Sequence, residues 1–126
     1  MDNFIIPQTK HTPQIELRYA DKYLRIKGDS YPENAMDIFQ PLIDRLDIYF
    51  SSPEQRLVIE VLMDYLNTSS TKMMTDVISK LQTYHDDGHE IKLTWFYSEG
   101  DEDSLETCEM FLEDASFPHE ISELKE

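Results

Sequence analysis

Residues 57–70 read LVIEVLMDYLNTSS, and TKMMTDVISKLQTYH follows at 71–85. How that boundary is read decides the fold. Residues 56–66 alternate as a central strand. Leu57, Ile59, Val61, Met63 and Tyr65 form one wholly apolar face; Val58, Glu60, Leu62, Asp64 and Leu66 form a mixed one. Such a strand lies under helices on one side and is partly open on the other. Residues 69–86 switch to the helical period, with Met73, Met74, Val77, Ile78, Leu81 and Tyr84 on one face. The turn between them holds an amide and three hydroxyls and no glycine. Thr68, Ser69 or Ser70 is expected to cap the helix by satisfying its free N–H groups. A hydroxyl where a parallel strand opens into a helix is also exposed to a partner. Phosphorylation there would add about −1.5 to −2 charges beside the positive end of the helix dipole.

The rest of the chain supports the same reading. QIELRY (14–19) and KYLRIKG (22–28) read as two strands joined by a two-residue hairpin loop, Ala20-Asp21. GDSYPEN (28–34) is a turn whose Pro32 suits a helix start. Ala35, Ile38, Phe39, Leu42, Leu46, Tyr49 and Phe50 then mark one helical face. Pro41 lies inside it, removing a backbone donor and crowding the carbonyl of Asp37, so a kink or a late regular start is expected. Gly88 suits the left-handed position past the next helix. IKLTWFY (91–97) alternates as a strand, GDED (100–103) opens a last helix with acids in its first turn, and 115–124 adds a short extended segment. The order β-β-α-β-α-β-α implies parallel pairing through right-handed crossovers. The expected fold is a single α/β domain over 1–126, with a four- to five-stranded mixed sheet and helices mainly on one face.

Composition narrows the function. A chain of 126 residues has the size of one domain. The net charge of −15 argues against nucleic acid and against anionic membranes. Residues 99–126 carry 11 acids and one base, making the C-terminal quarter a strongly acidic surface. No stretch approaches the ~18 consecutive apolar residues of a membrane span. The N-terminus lacks the basic flank and long apolar region of a signal peptide. With Cys108 as the single cysteine, a reducing, cytoplasmic setting fits. His11, His85, His89 and His119 form no metal-ligand pattern, and no P-loop, GxGxxG or GxSxG occurs, so neither metal nor cofactor is expected. Glu60 and Asp64 read as a partly wet sheet face. Cys108, Met73, Met74 and Trp95 read as core.

Three motifs together carry a resemblance: GDSYPEN at 28–34, YLNTSS at 65–70 and EDASFPHEI at 113–121, with IPQTKHTPQI at 6–15 in keeping. The chain resembles the SiaC family of bacterial regulatory phosphoproteins. That resemblance implies a STAS-like fold and a non-catalytic phospho-switch. Its partners would be a cognate Ser/Thr kinase, a PP2C-type phosphatase and a GGDEF-type diguanylate cyclase that the unphosphorylated form binds and activates, controlling cyclic-di-GMP and biofilm or aggregation. The family motif places the acceptor at Thr68. Tyr31, Pro32 and Asn34, with Asn67, Ser69 and Ser70, are expected to frame the partner-binding surface, provided that the two strands entering these turns run parallel. An anti-sigma-factor antagonist that releases a sigma factor is the alternative use of the same acceptor.

Overall fold

The computed structural model describes residues 2–125. Its elements in chain order are β1 (Phe4–Ile6), β2 (Gln14–Arg18), β3 (Tyr23–Lys27), α1 (Met36–Tyr49), β4 (Leu57–Leu62), α2 (Thr68–Asp86), β5 (Ile91–Ser98), α3 (Glu102–Leu112) and β6 (His119–Leu124). The sheet has six strands, not four or five, and its spatial order is the chain order, β1 to β6. β1, β2 and β3 pair antiparallel. β3, β4, β5 and β6 pair parallel, as the helical connections require.

The three crossovers all step the same way along the sheet. Right-handed connections that never reverse direction deposit every helix on one face. That face is the core: Ile15, Leu17, Leu24, Ile26, Leu57, Ile59, Val61, Ile91, Leu93 and Trp95 are all buried under the helices. Each fully buried aliphatic side chain contributes roughly 1.5–3 kcal/mol. Trp95 stacks on Phe111 of α3 with centroids 5.1 Å apart, and its indole N–H donates to the Met63 carbonyl at 3.2 Å. The buried ring therefore keeps its one polar atom satisfied. Cys108, Met73 and Met74 are core, as their helical spacing predicts.

The opposite face of the sheet carries no helix and is charged. Glu16, nearly buried there, accepts from Arg18 at 2.8 Å, with Arg25 at 3.9 Å. The Arg18 hydrogen bond, with the charges of Arg18 and Arg25, holds the Glu16 carboxyl below the usual range. Tyr23 donates to Glu60 from the neighbouring strand. Glu60 thus belongs to this half-wet face, as expected. Asp64 does not, because β4 ends at Leu62 and Asp64 accepts instead from Ser98 and Ser104.

Two local expectations need correction, and both ends of the chain add an edge strand. The β2–β3 connection is residues 19–22, not two residues, because Arg18 pairs with Tyr23; Lys22 takes φ +53° within it. Helix α1 is continuous from Met36 through Pro41, since only the one donor is lost. The segment at 115–124 yields a full parallel edge strand, β6. Residues 4–6 form an additional edge strand, which Arg45 of α1 helps hold by lying 4.4 Å over the Phe4 ring. Gly88 takes φ +104° beyond α2, as its position past a helix end predicts.

Candidate functional site

Strands β3 and β4 run parallel, so the turns that leave them, 28–34 and 63–67, emerge side by side. Backbone pairing continues past the strand ends. Gly28 N–H donates to Leu62 O, Ser30 N–H to Tyr65 O and Asn67 N–H to Ser30 O, each at 2.9 Å. The offset between partners grows from 35 at Lys27–Leu62 to 36 at the Ser30–Leu66 bridge. One extra residue is therefore accommodated on the β4 side, and an inserted residue reverses which way the following side chains point. This overturns the expectation that Tyr65 continues the buried face: Met63 is fully buried, whereas Tyr65 is 54 % exposed.

Asn67, not a hydroxyl, caps α2. Its side-chain oxygen accepts from Ser70 N–H at 2.9 Å, and its amide donates to Pro32 O at 2.7 Å. One side chain thus starts the helix and fastens it to the neighbouring turn. The hydroxyls that follow have separate tasks. Ser69 Oγ accepts from Ala35 N–H at 2.8 Å, holding the start of α1. Ser70 is fully buried with its hydroxyl 2.7 Å from that of Ser30, so it offers a partner no surface. Thr68 is the first residue of α2 and is exposed. Among the described residues, none holds its hydroxyl by a hydrogen bond.

The turn at 28–34 supplies the neighbours. Tyr31 is 39 % exposed; its hydroxyl donates to Lys10 O at 2.8 Å and its N–H to His11 O at 2.9 Å. Its ring meets His11 edge-on at 4.9 Å and Tyr65 at 6.1 Å. Asn34 accepts from Met36 N–H at 3.2 Å and so shapes the first turn of α1. The structure brings Tyr31, Pro32, Asn34, Asn67, Thr68 and Ser69 onto one edge, with Ser70 beneath. Sequence reading missed Tyr65, His11 and Asp29, which accepts from Tyr65 N–H at 3.2 Å. The first turn of α2 contains no acid, although the helix dipole would favour one. The edge is therefore an aromatic-flanked surface with the unengaged Thr68 hydroxyl at a helix mouth free of acids, while the neighbouring turn exposes Asp29 and Glu33. Among the described residues, no group of three or more metal-ligating side chains converges, and no helix is long and apolar enough to cross a membrane.

Comparison with known proteins bears on this edge. Residues 6–124 match the SiaC family regulatory phosphoproteins. The chain is similar to SiaC of Pseudomonas aeruginosa, with 35 % identity, a TM-score of 0.91, and coverage of 98 % of this chain and 100 % of that one. It is also similar to a chain in the crystal structure of the diguanylate cyclase SiaD in complex with its activator SiaC from the same organism. There the identity is 36 %, the TM-score 0.91 and the coverage 96 % and 99 %. A protein of P. aeruginosa strain UCBPP-PA14 described as uncharacterized is 36 % identical over 121 residues, 96 % of each chain.

Proposed function

Because the chain belongs to the SiaC family of regulatory phosphoproteins, we propose that it is a non-catalytic phospho-switch whose acceptor is Thr68. A cognate Ser/Thr kinase phosphorylates Thr68, and a PP2C-type phosphatase removes the phosphate. The unphosphorylated form binds and activates a GGDEF-type diguanylate cyclase, raising cyclic-di-GMP in the cytoplasm and promoting biofilm or aggregation. The likeness to the SiaC chain that accompanies a cyclase favours this over an anti-sigma-factor antagonist. A STAS-like classification of the sheet belongs to the same proposal.

One observation carries the reading: Thr68 stands exposed and unengaged at the first position of α2, in a first turn without acids that neighbouring turns hold in place. Among the described residues nothing competes for that hydroxyl, and the helix dipole receives the phosphate. The partner, however, meets a surface that has gained about −1.5 to −2 charges. Desolvating that charge, or facing it with an acid, need cost only ~2.7 kcal/mol to lower affinity a hundredfold. Tyr31, Pro32, Asn34, Asn67 and Ser69 frame the surface on which this is felt.

The test is incubation with the cognate kinase and ATP followed by site mapping by mass spectrometry. Incorporation is expected at Thr68 and absent from Thr68→Ala; full incorporation into that variant would sink the assignment. Identifying what co-purifies with Thr68→Ala separates a cyclase from an anti-sigma factor. Unchanged affinity of Tyr31→Ala for each partner would return Tyr31 to a purely structural role.

A further inference from the structure

A groove of about 290 Å³ runs between α2 and α3. Thr71, Thr75, Ile78 and Gln82 line it from α2, and Met110 and Phe111 from α3. Thr75 returns its hydroxyl to the Thr71 carbonyl at 2.8 Å and so turns carbon to the groove, while the exposed Ser79 hydroxyl also lines it. Met110 is 53 % exposed, an adaptable apolar side chain left in solvent. The far end is closed by Gln82 and Ser116, which bond each other twice, at 2.7 and 2.9 Å. From Thr71 to Gln82 the wall spans about 16 Å, or three helical turns.

The two rims differ in charge. Of the charged residues in this part of α2, Asp76 and Lys80 line the separate cleft against α1, where Lys80 meets Asp47 at 3.1 Å. The α3 rim is acidic. Asp114 lines the groove, and Glu106 and Glu113 flank Met110 at helical spacing. No lysine or arginine occurs from 93 to 124, and among the described residues no ion pair engages an acid of 99–114. A groove about three turns long, with Ile78, Met110 and Phe111 as its apolar contacts beside an uncompensated acidic rim, matches a helix with an apolar stripe flanked by Lys or Arg.

We infer that the α2–α3 groove docks a basic amphipathic helix of a partner protein. This does not rest on Thr68 being a phosphoacceptor. Thr68 does lie three and seven residues before Thr71 and Thr75, at the open end of the groove. A phosphate there would extend the acidic rim and strengthen such a contact. Phosphate would thus act on this groove in the opposite sense to the edge described above, from which it would expel a partner.

The probe is a fluorescently labelled peptide of about 14 residues with leucines at i, i+3/i+4 and i+7 flanked by arginine and lysine. Its control is a peptide of the same composition scrambled to abolish the apolar face. Anisotropy at physiological salt is expected to show the amphipathic peptide binding at least tenfold more tightly. Thr75→Arg, at an exposed position that keeps the fold, is expected to weaken it about tenfold. Ser51→Arg, which adds the same charge elsewhere, is expected to leave it unchanged. Equal binding of the two peptides, or equal loss in the two variants, would mean a merely solvated acidic face and would overturn the inference. Loss of α-helical circular dichroism in Thr75→Arg moves the test to Met110→Lys, which removes the apolar contact and repels the basic peptide, and for which the same tenfold loss is required.

Discussion

The first turns of helices α2 and α3 are built alike but differ in charge. Their caps, Asn67 and Asp101, stand 34 positions apart, and each accepts from the N–H of the third residue on, Ser70 at 2.9 Å and Ser104 at 3.0 Å. Both serines are fully buried and tie the helix to a loop, Ser70 to the Ser30 hydroxyl at 2.7 Å and Ser104 to Asp64 at 2.6 Å. Four residues further, Met74 and Cys108 occupy matching buried positions. The difference is that α3 opens with Glu102 and Asp103, whereas α2 opens with Thr68 and Ser69. An anion in the first turn stabilises a helix through its dipole. In α3 that charge is permanent; in α2 the equivalent position is neutral and carries a hydroxyl. The protein thus contains its own demonstration that a negative group is compatible with this construction.

The comparison can be broken most sharply at the buried serines. Ser70→Ala strands the Ser30 hydroxyl in a dry site and should cost about 1–3 kcal/mol in urea unfolding. Ser104→Ala leaves Asp64, which is exposed and regains water, so it should cost under about 1 kcal/mol. The double variant Ser30→Ala/Ser70→Ala should recover much of the first loss, since both partners go together. Equal costs for the two single variants would show that the anchors are not distinguished by burial. Next come the caps. Asn67→Ala should cost about 2 kcal/mol and Asp101→Ala about 1, because Asn67 also holds Pro32 O. Smaller still, Thr68→Glu should stabilise the fold by about 0.3–1 kcal/mol, and Glu102→Thr should destabilise it by as much, both shrinking in high salt. Destabilisation by Thr68→Glu would mean that the two first turns are not equivalent.

The least perturbing test uses Cys108. Burial pushes its thiol up to about 12. The fold favours the neutral thiol, so this contribution to stability is complete below the unfolded value near ~8.5 and is lost as pH rises towards about 12. At pH 8 a thiol reagent should label the native protein slowly, because the thiolate is scarce and α3 must open. Asp101→Ala should speed labelling, and Asn67→Ala should not, if the two helix starts loosen independently.

What was legible in the sequence followed periodicity. The core faces of α2, β5 and the first part of β4, the glycine beyond α2 and the acidic opening of α3 all stand where the pattern puts them. The illegible parts depend on distant partners. Phe4–Ile6 is too short to show a period and becomes a strand only by pairing with Ile15–Leu17. Tyr65 continues the alternation on paper, but the extra residue before the Ser30–Leu66 bridge turns it outward. Asn67 rather than a hydroxyl caps α2 because the amide can serve Ser70 and Pro32 at once, and the second contact lies 35 residues away. At the candidate site the motifs identified the residues to consider. Which of them is buried and which is open, Ser70 or Thr68, required the neighbouring turn.

Strand order that never departs from chain order has a further consequence. In open α/β sheets, ligands settle in the crevice where the order reverses and adjacent loops part. Here no reversal occurs, so the loops after β3, β4 and β5 stand in a row and touch. Ser30 meets Ser70, and Ser98 reaches Asp64 at 2.7 Å. The carboxyl edge is a closed lip rather than a slot. Such a lip would lie against another protein more readily than enclose a small ligand, and a residue modified on it would be presented rather than enclosed.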